Sequence, residues 1–473
     1  MLTSFSSSTN VFKNIAYLFF FPMKPLLFRL PFGRKSIRPP EEPQALEPTQ
    51  SIFPNEIWRQ IIGYTVRGTG AKYVDLEDPF VQPWMMEEYP EIDPGLLNDR
   101  RSLSQVCASW RNIVEEISAE YLVIYTGQQL RSIVKIFEKS KLSMAGEDVK
   151  HLGERTLRID FRILGEYKVS HVIRLLKCTP NLAIYYNKNG PADQPERPAP
   201  IEVLKGLADF CGSTLRRLEW ASAGEAPRYE DLVQLCNSIP DLVTLRLVAI
   251  HSFPRQIGIN FPGLTLPKLK TLSLGLIPEI HNPRSNYALT WDPFLHLLSR
   301  NNRQLPSLER LDCEIFPLLT PAFFTMYGPK IRHFRTTAWS AENELPTALN
   351  FCQNLHTLVI VQGSENMAMP AAHLSIQRIC IIPSIDVPVE VPPRVFKHAV
   401  LQPLDNLLKV IEVMNTPRLR EVRVRNVGSY STIGQHHTMT FWWIRWNLQR
   451  VNFTDKTGQT IGDSNPRAQD DRE

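Results

Sequence analysis

The sequence predicts an α/β chain in two parts: a small N-terminal helical module, then an irregular solenoid of short parallel strands with a helix covering each. Two observations carry this. Between residues 53 and 114, apolar residues recur at helical spacing in two segments separated by an acidic stretch. Beyond residue 120 a pattern of the form Leu-x-x-Leu-x-Leu returns at quasi-regular intervals, each time after a polar or proline-bearing turn.

Size and composition set the bounds. A chain of 473 residues can hold two or three domains with a substantial core. Its 43% hydrophobic and 21% charged residues are ordinary for a globular protein. The 38 prolines mostly flank short apolar runs, which predicts many turns and few long helices. The formal net charge of +5 is local: Lys13, Lys24, Arg29, Arg34, Lys35 and Arg38 stand in a stretch without acids, and the other 47 basic residues balance 48 acidic ones. A body with no basic excess argues against nucleic-acid binding. The seven cysteines form no C-x-x-C pair, so a zinc knuckle or dithiol motif is unsupported. Reduced, buried thiols in a cytoplasmic or nuclear protein are the economical reading.

The elements follow in order. Residues 1–50 read as a disordered basic, proline-rich tail. Its apolar run from Ile15 to Met23 is broken by Pro22, Lys24 and Pro25, well short of the ~20 residues a membrane span needs, so no membrane partner is expected. The same opening also fits a mitochondrial presequence, with the unstructured tail the preferred reading. Residues 51–118 form the helical module. Phe53-Pro54 opens its first helix, where proline has no amide hydrogen to lose, and Glu56 suits the positive end. Ile57, Ile61 and Ile62, with Trp58, make one apolar face. The second helix, about Arg101 to Ile117, places Leu103, Val106, Cys107, Trp110, Ile113 and Val114 on another. Between them, about residues 68–99, eight acids and no base fall from Asp75 to Asp99, and Pro79, Pro83, Pro90 and Pro94 forbid a long helix. That predicts an acidic, solvated surface loop, pinned back by Phe80, Trp84, Met85 and Met86.

Residues 119–454 carry the repeats. Copies start at 215, 242, 269, 308, 331, 355, 376 and 419, with a degenerate one at Leu157. Intervals of 21 to 27 fit leucine-rich repeats of ~20–29 residues, and those of 39 and 43 predict insertions or a missed copy. Each run reads as a strand whose leucines point inward and meet the preceding helix, and stacked neighbours close the core. Cys178, Cys211, Cys236 and Cys352 fall at helix ends, as buried thiols in tight corners. Phe441 to Trp446 reads as a closing strand, and residues 455–473 as a disordered tail.

Alternation aims part of an arginine set, including Arg217, Arg246, Arg335 and Arg423, away from the leucines. Two readings of this row stand. It docks an acidic or phosphorylated segment of a substrate protein, since arginine pairs such groups bidentately, or it is a set of solvated strand positions. For chemistry there is little: no G-x-G-x-x-G, Walker A, H-E-x-x-H or G-x-S-x-G occurs. His436 and His437 are adjacent loop residues whose side chains should diverge, so they are not expected to share a metal. Asp160, Glu219 and Asp312 more simply line a polar face. No catalytic residue, cofactor or metal site is expected.

The two halves of the module, Phe53-Pro54-Asn55-Glu56-Ile57 and Leu103-Ser104-Gln105-Val106-Cys107-Ala108-Ser109-Trp110-Arg111, resemble an F-box, with Phe53 where leucine is usual. A box split by an acidic insertion and followed by irregular leucine-rich repeats is similar to the large F-box families of mushroom-forming fungi. The resemblance covers roughly an eighth of the chain. It implies binding to a Skp1-type adaptor, and through it to a cullin–RING ubiquitin ligase, with the repeats presenting an unidentified substrate protein. On this resemblance Phe53, Pro54, Glu56, Ile57, Ile61, Leu103, Val106, Cys107 and Trp110 build the box core and its adaptor-facing surface. The alternative is a ligase-independent scaffold in which the box is a stabilising cap.

Overall fold

Short strands alternate with helices through most of the described residues. The computed structural model describes residues 53–68, 70–75, 78, 80, 94–143, 151–190, 197–222, 224–252, 263–275, 291–313, 321–337, 344–361, 367–382, 401–425, 436–455 and 458–460. The N-terminal module holds α1 (Asn55–Val66), α2 (Pro94–Ser104) and α3 (Ala108–Ala119). The strands that follow are β1 (Tyr121–Ile124), β2 (Arg158–Phe161), β3 (Ile184–Asn187), β4 (Arg197–Pro198), β5 (Arg217–Trp220), β6 (Glu225–Ala226) and β7 (Thr244–Leu247). Then come β8 (Thr271–Leu274), β9 (Arg310–Cys313), β10 (His333–Thr337), β11 (Thr357–Val361), β12 (Arg378–Ile382), β13 (Glu421–Val424) and β14 (Asn452–Thr454). All but β4 and β6, which pair with each other, join one 12-stranded sheet whose order follows the chain. Every pairing within it is parallel.

The register explains the core. Leu218, Leu245, Leu272, Leu311, Phe334, Leu358, Ile379 and Val422 lie side by side on successive strands. All are fully buried. Each contributes roughly 1.5–3 kcal/mol by leaving water. Opposite them stand helices such as Tyr229–Asn237, whose Leu232, Leu235 and Cys236 face inward. Cys178, Cys211, Cys236 and Cys352 are buried at helix ends. Burial pushes the thiols of Cys211, Cys236 and Cys352 up to about 12, so they stay protonated and unreactive at neutral pH.

Several expectations need correction. Strands β8 and β9 pair directly, as do β12 and β13, so the long intervals hold insertions and no missing strand. A strand was hidden instead at β3, where Tyr185 takes the leucine place and Tyr186 stands in the opposite row, between Asp160 and Glu219. The second helix of the module is two: α2 ends at Ser104, and α3 restarts after Cys107, whose Sγ accepts from the Trp110 amide at 3.5 Å. Helix α2 begins at Pro94, so the acidic insertion is shorter than residues 68–99. The aromatic run Phe441 to Trp446 is helical, within His437–Leu448. Trp442 and Trp446, one turn apart, are buried at the end of the stack, and β14 is the closing strand. The rings of His436 and His437 do not diverge; their centroids lie 4.0 Å apart at the start of that helix. Residues 455 and 458–460 continue the fold: Asp455 is buried and its amide donates to the Gln459 carbonyl at 2.9 Å. The N-terminal tail, Trp84, Met85, Met86 and residues 461–473 lie outside the described residues.

Candidate functional site

Helix α1 divides its apolar residues between two faces. Trp58, Ile62 and Val66, four residues apart, turn inward and meet Ile113, Val114 and Ile117 of α3. Leu103 and Trp110 pack at the edge of this small core, and the Trp110 and Trp58 rings lie 4.7 Å apart. Outward, Ile57, Ile61 and Tyr64 form a second row, 38%, 45% and 92% exposed. Phe53 is 45% and Val106 59% exposed. Pro54, Glu56 and Cys107 are also on the surface. Of the residues expected to meet an adaptor, Phe53, Ile57 and Ile61 are therefore open and apolar, as is Val106 in the turn before α3. Leu103 and Trp110 serve the interior instead.

Polar contacts tie the helices of the module together, and one of them reaches Arg155 of the body. Arg67 donates two hydrogen bonds to the Glu120 carboxylate, at 2.7 and 3.0 Å, and Glu116 takes both Arg59 and Arg155. Arg100 is buried, with its Nε donating to the Val66 carbonyl at 2.9 Å, and burial lowers its guanidinium to about 10. Only Glu120 separates α3 from β1.

The face of the sheet opposite the leucines carries the arginines, in two registered rows. One contains Arg158, Arg217, Thr244, Thr271, Arg310, His333 and Arg378; the other contains Asp160, Glu219, Arg246, Asp312, Arg335 and Arg423. Arginines and acids two apart on a strand pair with each other: Arg158 with Asp160 at 2.6 Å, Arg310 with Asp312 at 3.0 Å, and Arg423 with Glu421 at 2.7 Å. Glu219 takes Arg217 of its own strand and lies 3.6 Å from Arg246 of the next. Burial alone would push the Glu219 carboxyl up, but the charges of Arg217, Arg246 and Arg158 outweigh it and hold the group below its usual value. Asp312 is held down in the same way by Arg310, Arg335 and Arg246.

This face is not solvated. Arg217 and Arg246 are 2% exposed and Arg423 6%, while Arg335 is half-buried. What covers much of it is the acidic insertion. Arg158 donates to the Gly70 carbonyl at 3.1 Å, and Arg217 to the carbonyls of Tyr73 and Asp75 at 3.0 and 2.7 Å. The Asp75 carboxylate accepts from Thr271 at 2.6 Å. Asp78 lies 3.7 Å from Arg378, and the Phe80 ring is clasped by the guanidinium groups of Arg378 and Arg423, 4.6 and 4.9 Å from its centre. The segment crosses the strands from β2 toward β13. A cavity of about 140 Å³ remains between Asp75, Asp78 and the sheet, over Arg310, Asp312, His333 and Arg335.

Neither expected reading of the arginine row survives unchanged: it is not solvated, and its acidic occupant is the chain itself. The signal was present, since a base-free acidic run from Asp75 to Asp99 and an outward arginine row belong to one sequence. Among the described residues no cluster of histidine, cysteine or acidic side chains could hold a metal, and no helix is long and apolar enough to cross a membrane. No known family model matches the chain, nor does any curated protein.

Proposed function

We propose that the chain is a non-enzymatic substrate receptor. Its α1–α3 module would act as an F-box that docks a Skp1-type adaptor of a cullin–RING ubiquitin ligase, in the cytoplasm or nucleus, and the stacked sheet, read as leucine-rich repeats, would present a substrate protein. The observation that carries this reading is the outward row of Ile57, Ile61 and Tyr64, with Phe53, on a helix whose inner face is already closed. Clustered apolar side chains left open on a charged module favour a protein partner. Of these, Phe53, Ile57 and Ile61 are residues for which the F-box resemblance implies adaptor contact. Co-purification with the adaptor and a cullin tests it. Capture by the wild-type chain, lost in Ile57→Asp combined with Val106→Asp, is expected; absence of capture from a folded chain counts against it.

A second reading is favoured by one observation. The module is tied to the first repeat through the Arg155–Glu116 ion pair and runs directly into β1, the first strand of the stack. It therefore also closes an end whose core would otherwise meet water, which is all a ligase-independent scaffold would ask of it. The two readings part at the cullin: only the receptor brings it down.

A further inference from the structure

We propose that the arginine-bearing face of the sheet is a binding site for an acidic segment of a partner protein, and that residues 70–75 with Asp78 and Phe80 are a built-in occupant which the partner must displace. This names the substrate class of the receptor reading and rests on it only in that respect.

The contacts define what the face recognises. Arg158 and Arg217 hold backbone carbonyls of the segment, which fixes the path of the chain whatever its side chains. Side-chain selection comes at three places. A carboxylate fits Thr271, where Asp75 sits; a second fits near Arg378, where Asp78 sits; an aromatic ring fits between Arg378 and Arg423, where Phe80 sits. The ligand is therefore a peptide with carboxylates at i and i+3 and an aromatic at i+5. The in-strand acids Asp160, Glu219 and Asp312 neutralise much of the arginine charge, so the face does not attract anions indiscriminately and selects by this spacing.

The occupant is also held in a way that allows release. Tyr73 and Asp75 are exposed, and Ala71 is its one fully buried apolar side chain among the described residues. Its grip is mostly polar and cation–π, with only Ala71 against Tyr121 and Val123 and Phe80 against Val359, Val361 and Cys380 as apolar contacts, whereas the strands beneath are fixed by the leucine core. Segments with little apolar burial open at low free energy, without unfolding the body. A tethered occupant seated nine-tenths of the time lowers the apparent affinity of a competitor about tenfold.

The test uses the full chain and a fluorescein-labelled synthetic peptide carrying residues 70–82. In the variant Asp75→Ala, Asp78→Ala, Phe80→Ala the peptide should bind at least tenfold more tightly than to the wild type. Adding Arg378→Glu, or placing the same three alanines in the peptide, should abolish the gain. Equal binding to wild type and variant, or binding indifferent to the alanines, overturns the proposal. Amide hydrogen exchange of the wild type supplies a second reading that needs no variant. Faster exchange at residues 71–75 than in β7 to β11 supports a displaceable segment; exchange only with global unfolding makes it a fixed part of the fold and overturns the proposal. No adaptor enters either measurement, so this result and the ligase result stand or fall separately.

Discussion

The carboxylate of Asp75 accepts a hydrogen bond from the hydroxyl of Thr271 at 2.6 Å, joining the acidic insertion to β8 across 196 residues. Its consequence is direct. Thr271→Val keeps the shape of the side chain and removes the donor. Because Asp75 is exposed, the loss is modest, roughly 0.5–1.5 kcal/mol. Chemical denaturation should show that loss, together with faster amide exchange at residues 71–75 and unchanged exchange in the neighbouring strands.

Glu219 is a different case, since it is fully buried between Arg217 and Arg246. Glu219→Gln leaves two nearly buried guanidinium groups without their charge partner. Breaking a buried pair from one side costs on the order of 3–5 kcal/mol. The denaturation midpoint should fall accordingly, whereas Glu56→Gln on the exposed first turn of α1 should leave it within experimental error.

The pH dependence follows from buried acids and histidines. Glu219 and Asp312 are held below their usual values when folded, so their stabilisation is complete above about pH 4 and is lost as pH falls through the lower folded values. Burial and Arg310 hold His333 below its usual value, and burial does the same to His373, so as pH falls the unfolded chain takes up these protons before the folded chain does. Stability therefore declines first as pH drops below about 6.5. Denaturation midpoints measured across pH should show both losses, and His333→Gln should shrink the earlier one while leaving the acid limb.

Much of the fold was legible because parallel strands buried on one side repeat their leucines. Leu218, Leu245, Leu272, Leu311 and Leu358 mark their strands by spacing alone. The strand at Tyr185 was not legible, since an aromatic fills the leucine place without its pattern. Phe441 to Trp446 was misread because a continuous aromatic run lacks a period, and only packing reveals that Trp442 and Trp446 share a helical face. On the module, helical spacing grouped Ile57, Ile61 and Ile62 together; the fold separates Ile62 inward from Ile57 and Ile61 outward. The insertion was misjudged for a more general reason. Acid-rich, proline-broken sequence looks solvated, and its docking depends on arginines more than 80 residues away, which no local pattern reports.

Titration of the purified chain with a purified Skp1-type adaptor bears most directly on the claim that the outer face of α1 is completed by a second polypeptide. The account predicts a one-to-one complex, lost in Ile57→Asp combined with Ile61→Asp, with the variant's melting temperature close to that of the wild type because both side chains are exposed. A folded wild-type chain that forms no complex, or a double variant that binds as well as the wild type, would contradict it.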